Sequence, residues 1–542
     1  MPGISSRILY SKNDLYLIAD EVDKYFFHDE PNGWCLVLGS IVPTKNPAQI
    51  IFRRFFSKIK DFIEGFDGIF LVVIFDKKTG EIHIINDVLG LMHAYYTLGI
   101  DGFCLSDSLT NILQFVGNTE IDLSSLNLYL TFQYLPNPYT MFKNIYQVPL
   151  SSMITYSKGV LKQNSYKELS KRKKFHFESD PKIIRDLLVR SLEKQISGNK
   201  KNIGAFLSGG MDTSSAIAVL TSEFGIKPIA FTAGFEDKNY DETYYAKIVA
   251  KYFGLKHEII QVDEEDVYSL PEIASLYENP IADRAVLAEY VVCKKINSSG
   301  IKFMISGEGG DEVLGFPRNL PNNIMFSNKL INDNNALAKY YDSLTSLFPE
   351  NMRKQILLSK NFKKENYLGR LYKEFGSKSP FEKILLGQWK TWLIDNVLMK
   401  DTRLFKYFGF QFVSPYIDKD LIKYISCLPI KSKMYGLRNK NYLKSVMKNS
   451  LPIETIQRKK HRFHLPMEIW FQGNMYDFIY ENLISKGSFT TRYFDKRIVQ
   501  KIISDHKIGK NDFNRPIWSL LFLEFWYRGV QKKTLELNKY ET

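Results

Sequence analysis

The stretch Ser208-Gly209-Gly210-Met211-Asp212-Thr213-Ser214-Ser215 restricts the fold of this chain more than any other segment. It follows a short apolar run at 203–207 (IGAFL) and opens an apolar-periodic stretch, AIAVLTSEFG. Strand, glycine turn and helix in immediate succession belong to a parallel α/β sheet, whose ligands collect at the carboxyl ends of the strands. The two glycines let the backbone turn sharply and come close to a ligand. Successive backbone N–H groups, hydroxyls and a helix N-terminus together favour a multiply charged anion. No Gly-Lys-Ser/Thr follows, so the turn is not a Walker A loop.

The alternation continues downstream. Residues 228–232 (PIAFT) read as a strand, 241–253 as a helix and 302–305 (KFMI) as a strand. Upstream, Ser179 or Asp180 can cap a helix with Pro181 in its first turn, and Ile184, Leu187, Leu188, Leu192 and Ile196 recur at helical spacing. The first 165 or so residues are strand-rich instead. Runs at 69–75 (IFLVVIF) and 82–85 are joined by the polar turn Asp76-Lys77-Lys78-Thr79-Gly80, a hairpin pattern. A basic polar stretch at 165–181, with Lys171-Arg172-Lys173-Lys174, is the candidate linker. From about residue 330 the chain reads as helical and aromatic-rich, with no third domain.

A second glycine-rich motif, Ser306-Gly307-Glu308-Gly309-Gly310-Asp311-Glu312, also follows a strand. Its carboxylates suit magnesium, which bridges oxygen ligands and phosphates. The pair of motifs resembles the asparagine synthetase superfamily, whose ATP-pyrophosphatase domain combines SGGxDS/TS with SGEGGDE. The resemblance covers roughly residues 180–530 and extends to the segment from Phe231-Thr232 to His257, to Glu278–Asp283, to Ser414-Pro415-Tyr416-Ile417-Asp418, and to Gln457-Arg458-Lys459-Lys460-His461-Arg462-Phe463. It implies an Ntn-type β-sandwich of α+β class at 1–168, resembling a degenerate class II glutamine amidotransferase. It implies an α/β parallel-sheet domain of the adenine nucleotide α-hydrolase type at 178–542, ending in a helical part. It further implies ATP and Mg²⁺ as cofactors. Ser208, Gly209, Gly210, Asp212, Thr213, Ser214, Phe231, Thr232 and Gly307 would bind the nucleotide, Asp212 and Asp311 would hold the metal, and Lys460 and Glu308 would be catalytic. A cation against a developing oxyanion and a carboxylate beside an amine are the chemical tools such a reaction needs.

Two departures stand out. A working glutaminase of this type carries cysteine directly after the initiator methionine, where its thiolate is the nucleophile; here residue 2 is Pro2. The NGEIYN segment is also missing, replaced by IVPTKNPAQIIFRR. The four cysteines, Cys35, Cys104, Cys293 and Cys427, form no CxxC or Cys/His cluster, so zinc and disulfide frameworks are unsupported, and Cys35 and Cys104 read as small buried residues. Secondly, the family's ExRxPFxD is QFVSPYID in this chain (Gln411 to Asp418), a change expected to remodel the acceptor end of the site.

The expected activity is therefore ATP-dependent amide formation through an acyl-adenylate, without glutaminase, with peptide macrolactam formation of the lasso cyclase type first. The alternatives are an ammonia-using asparagine synthetase or tailoring amidotransferase, a β-lactam synthetase-like enzyme, and a non-catalytic scaffold. The partner would be a small-molecule or peptide substrate, the latter delivered by a leader-binding protein and a protease. Lys plus Arg is 73 against 59 Asp plus Glu, a formal charge of +14, which raises nucleic acid as a partner. No RRM or KH signature accompanies it, so it reads as a phosphate site on a basic surface. There is no secretory signal pattern and no apolar run near the ~20 residues of a membrane helix, so a cytoplasmic location is expected.

Overall fold

The computed structural model describes residues 7–12, 15–19, 25–42, 44–59, 62–63, 65–99, 102–117, 119–165, 180–196, 198–314, 333–359, 366–428, 441–458 and 463–538. The candidate linker's residues 166–179 and the residue Lys460 lie outside them, as does Pro2. The chain divides into two compact units, one of Met1–Leu126, Leu135–Lys171 and Val530–Thr542, the other of Asn127–Tyr134 and Arg172–Gly529.

In the first unit the strands are β1 (Arg7–Lys12), β2 (Leu15–Ala19), β3 (Tyr25–Glu30), β4 (Gly33–Val42), β5 (Asp67–Asp76), β6 (Glu81–Asn86), β7 (Tyr95–Gly99), β8 (Gly102–Ser106), β9 (Ile145–Gln147), β10 (Ser152–Ser157) and β11 (Val160–Ser165). They form a five-stranded sheet, β1-β2-β8-β7-β9, and a six-stranded one, β11-β10-β6-β5-β4-β3. The expected hairpin is β5–β6, with Leu71 opposite Asn86 and Asp76 opposite Glu81. Its turn closes through Gly80 N–H to Asp76 O at 2.8 Å, with Gly80 at φ +71°.

The apolar run in β5 is continuous because both faces of its sheet are covered. Leu71 and Val73 join Trp34, Leu36, Ile84, Phe103 and Leu105 in a core shared by the two sheets. Phe70, Val72 and Ile74 face the other way, with Cys35, Val37, Ile51 and Phe52 under the helix Pro47–Phe56. Strands buried on one face alternate; a strand buried on both loses the alternation.

The second unit is built on a parallel sheet of β12 (Ile203–Phe206), β13 (Ile229–Gly234), β14 (His257–Gln261), β15 (Phe303–Ile305) and β16 (Gln411–Val413), in the order β14-β13-β12-β15-β16. All four pairings are parallel. The chain leaves β12 through the helix Met211–Phe224 to reach β13, and crosses from β13 to β14 through Thr243–Phe253. Both helices stop at glycines in the left-handed region, Gly225 at φ 64° and Gly254 at φ 60°, where a side chain would be strained. The helix Pro181–Ile196 buries Ile184, Leu188, Leu192 and Ile196, the stripe legible in its spacing. β16 corrects the expectation of a helical region past residue 330: three residues, Gln411-Phe412-Val413, pair with β15 at the sheet edge, and no glycine motif follows them to mark the strand as one marks β15.

β12 lies between β13 and β15, so the strand order reverses there. The turns after β12 and β15 are the two glycine motifs, and an open sheet of this kind opens a crevice at that reversal.

Ile84 is completely buried between the two sheets of the first unit. Ile84→Ala is expected to destabilise that unit by about 2–5 kcal/mol, measured by denaturant unfolding.

Candidate active site

The two motifs touch. A Cβ added to Gly307 would lie 2.8 Å from Thr213 N and 3.0 Å from Asp212 Cβ, and one added to Gly310 would lie 2.6 Å from the Asp212 carboxyl carbon. Only glycine lets the second loop pack this closely against the first. Gly209, at φ +69°, is pressed against the helix Thr243–Phe253: a Cβ would sit 2.4 Å from the Tyr245 carbonyl carbon. The turn is braced internally by Gly210 N–H to Ser208 Oγ at 3.3 Å. On its far side the second loop meets residues 414–417, with Ser414 Oγ–H donating to Glu308 O at 2.7 Å and Ile417 packed where a Gly309 Cβ would be.

Ser208, Gly209, Gly210, Asp212, Thr213, Ser214, Gly307 and Asp311 are thereby gathered at the mouth of the sheet. Thr213 Oγ1 and Ser214 Oγ are buried without hydrogen-bond partners among the described residues. Two orphaned hydroxyls in the first turn of a fourteen-residue helix fit a phosphate chain. Asp212 and Asp311 both bear electrostatically on the Tyr416 hydroxyl, whose pKa is raised well above the tyrosine range by burial first and then by these carboxylates. An oxygen-donor pair beside a phosphate site fits Mg²⁺, which keeps several waters and completes its shell from substrate phosphates. Among the described residues no group of three Asp, Glu, His or Cys is placed to cage a metal by itself.

Phe231 and Thr232 are placed differently from the rest. The Phe231 side chain is 1% exposed and packs under Gly204. The Thr232 hydroxyl donates to Leu207 O and lies 2.8 Å from His257 Nε2. Both side chains are spent on the sheet, so what they offer the crevice is backbone. Lys460 is outside the described residues, but Arg458 is within them and reaches the first loop, its Nη1 donating to Ser208 O at 2.9 Å.

Glu308 faces a buried charge cluster to which sequence reasoning assigned no role. Lys400 and Asp401 are each 1% exposed and lie 3.1 Å apart, and Lys400 also pairs with Glu289. Ser306 Oγ lies 3.4 Å from Asp401 Oδ2 and accepts the Glu308 N–H at 3.2 Å. Burial raises the Glu308 carboxyl well above its usual range; Lys400 opposes this, while Asp401, Glu289 and Glu312 add to it. Burial alone would lower Lys400, but Asp401, Glu289, Asp283 and Glu308 hold it well above the lysine range, so it stays charged. A ten-residue π-helical segment, Trp389–Leu398, runs past the same loop. Its Trp389 and Trp392 donate indole N–H bonds to the Glu312 carbonyl and carboxylate. Long π-helical stretches are rare and concentrate at functional sites; no spacing rule would have disclosed this one.

The altered segment before Pro415 forms the edge strand of the sheet. Gln411 is exposed, with Nε2 donating to Gln195 O at 3.3 Å, and Val413 is fully buried in the sheet. These residues build the edge strand, while Ser414 and Tyr416 face the loops.

A parallel sheet with a Ser-Gly-Gly turn and an acidic glycine loop at its reversal point defines an ATP-pyrophosphatase-type synthetase domain. The family models and the sequence relatives agree. Residues 183–528 match the asparagine synthase family model, and residues 41–167 match that of the glutamine amidotransferase domain. The chain belongs to the asparagine synthase family. It is 25% identical over 494 residues to the glutamine-hydrolysing asparagine synthetase 1 of Bacillus subtilis (strain 168), covering 85% of this chain and 77% of that protein. It is 22% identical over 536 residues to a putative asparagine synthetase of Mycobacterium tuberculosis (strain ATCC 25618 / H37Rv), covering 90% and 80%. Among solved structures, an NMN synthetase from Francisella tularensis matches at 12% identity and a TM-score of 0.22, covering 39% of this chain and 94% of that one. The protein is an ATP-dependent, AMP-forming carbon–nitrogen ligase that uses ATP with Mg²⁺. Among the described residues no helix is long and apolar enough to cross a membrane.

Lys400→Met would leave Asp401 and Glu289 buried without their cation. Breaking a buried pair in this way costs about 3–5 kcal/mol, and denaturant unfolding of the second unit is expected to show that loss.

Proposed function

We propose that this ligase joins a carboxylate to an amine without taking ammonia from glutamine, and that both groups belong to one peptide, so that the product is a macrolactam. The observation that carries the glutamine-free part is the state of the thiols in the first unit. Cys35 and Cys104 are fully buried in β4 and β8. Burial pushes the Cys104 thiol up to about 12 and the Cys35 thiol higher still. A nucleophilic cysteine needs an accessible thiolate, and neither supplies one. The adenylating loops, by contrast, are complete.

In the proposed reaction a substrate carboxylate oxygen attacks the α-phosphorus of ATP. The bond to the bridging oxygen breaks and pyrophosphate leaves. The amine then attacks the acyl carbon, Glu308 takes its proton, and AMP departs. Thr213, Ser214 and the backbone of the first turn hold the phosphates, and Lys460 is assigned the stabilising cation. Mg²⁺, held by Asp212 and Asp311, would neutralise charge on the pyrophosphate. The surplus of +14 supports a substrate carrying acidic side chains, since such a field speeds encounter. A peptide substrate also needs its amino terminus freed, which assigns a leader-binding protein and a protease as partners.

Incubation with ATP, Mg²⁺ and a synthetic peptide with a free amino terminus and an Asp or Glu side chain is expected to yield AMP, pyrophosphate and a product lighter by one water. ADP formation would overturn adenylation. Asparagine formed from aspartate and ammonium chloride, with no cyclised peptide, would replace the macrolactam reading. Glutamate released from glutamine would overturn the glutamine-free reading. In parallel, iodoacetamide is expected to leave native Cys35 and Cys104 unmodified.

Glu308 accepts a proton only once deprotonated, and its pKa is raised. The amide-forming rate is therefore expected to climb with pH through a limb above the usual carboxylate range. Glu308→Gln should abolish that limb and slow the reaction about 10²–10⁴-fold, as read from a pH profile of kcat.

A further inference from the structure

We infer that Arg458 is a positioning residue, not a phosphate ligand: clasped by Ser208, Glu242 and Tyr245, it sets the backbone orientation of the phosphate-binding turn. The inference rests on the ATP-binding reading of that turn.

Arg458 opens the basic run 458–462, and its sequence context suggests one more cation for the phosphates. Its surroundings say otherwise. Its side chain is 9% exposed and that of Glu242 is 8% exposed, and the two form an ion pair through Nη2. Its Nη1 donates to Ser208 O at 2.9 Å. Its guanidinium carbon stands 4.1 Å from the centroid of the Tyr245 ring. One nitrogen, its neighbour and a ring-facing surface are thus committed inward, and Glu242 neutralises the charge. Such a planar fork makes these contacts simultaneously in a way that an ammonium cannot.

The three partners surround a single peptide plane. Ser208 O and Gly209 N–H belong to one trans peptide and point in opposite directions. Pinning the carbonyl to Arg458 fixes the N–H on the opposite side. Gly209 has no room to adjust on its own, because a Cβ there would lie 2.4 Å from the Tyr245 backbone and 2.6 Å from Ala246 N. Tyr245 is also the residue over which Arg458 stacks, so turn, helix and arginine are fitted as one piece.

The two roles predict opposite signs. If Arg458 were a phosphate ligand, Glu242→Gln would release its charge and tighten pyrophosphate binding, and Arg458→Lys would keep most of the affinity. If Arg458 positions the turn, both substitutions weaken binding, because the clasp needs the carboxylate and the fork. The experiment is isothermal titration of the full chain with Mg²⁺·pyrophosphate and, separately, with adenosine. We expect Glu242→Gln, Arg458→Lys and Arg458→Ala each to weaken pyrophosphate binding about 10-fold or more, the loss of a charge-assisted hydrogen bond. Adenosine affinity should change less than about twofold, within the effect of one weak contact. Tighter or unchanged pyrophosphate binding in Glu242→Gln, or full affinity in Arg458→Lys, overturns the inference. Equal losses for adenosine and pyrophosphate also overturn it, since they report general damage. Should Arg458→Ala fail to fold, the two conservative variants decide the matter. A wild-type chain that binds neither Mg²⁺·ATP nor pyrophosphate would overturn the ATP-site reading itself, an outcome distinct from all of these.

Discussion

The contact between two glycine loops at the point where the parallel sheet reverses its strand order is the constraint on which the site depends. Asp212 is in the first turn of the helix that follows one loop and Asp311 in the helical turn that follows the other, 99 residues apart in sequence. The two motifs come together only because Gly307 and Gly310 carry no Cβ. Backbone approach of this kind cannot be exchanged for side-chain packing. The sheet supplies the reversal, and the glycines convert it into contact. The hydroxyls of Thr213 and Ser214 and the N-terminus of the helix Met211–Phe224 then find themselves at the right depth for an anion.

The charge cluster behind Glu308 is a second layer of the same arrangement, and its energetics are adverse. One lysine is shared among Glu289, Asp401, Glu308 and Asp283, all of which raise its pKa. The buried carboxyls are raised in turn, so they resist ionisation. An apolar core of similar volume would in general be at least as stable. What the cluster does provide is a polar chain from Lys400 through Asp401 and Ser306 to the backbone N–H of Glu308. The Ser414 hydroxyl holds the same loop from its other side, through Glu308 O.

Elements whose cause is local were legible in the sequence. The β5–β6 hairpin, the helix Pro181–Ile196 and the β12-turn-helix unit each carry their signal within a short window, as alternation, helical spacing or glycine punctuation. β15 and β16 are both three residues long, but β15 is marked by the glycine motif that follows it and β16 has no such punctuation. The site divided along the same line. Both loops could be read directly, but their supports could not: Arg458 meets Ser208 across 250 residues and Glu242 across 216, and Lys400 meets Glu289 across 111. An arginine in a basic run looks like surface or ligand until its partners are seen, and Lys400-Asp401 lies mid-helix with no local mark. Phe231 and Thr232 show the converse. The motif singled them out as binding residues, whereas their side chains are consumed by packing and by bonds to Leu207 and His257.

The first unit is held together by apolar burial on two faces of one sheet. Its stability comes from burying β5 on both faces, against the second sheet on one side and the helix Pro47–Phe56 on the other. Cys35 takes part in that burial as a small apolar side chain. Such a core is built apart from any reactive group, because function is grafted onto a fold. The phosphate-binding turn of the second unit is of the opposite kind. There Gly209, Tyr245, Glu242 and Arg458 are simultaneously the packing and the support of the site, so that turn cannot be altered without disturbing the helix it rests on. A site made from the fold's own contacts is retained for as long as the fold is.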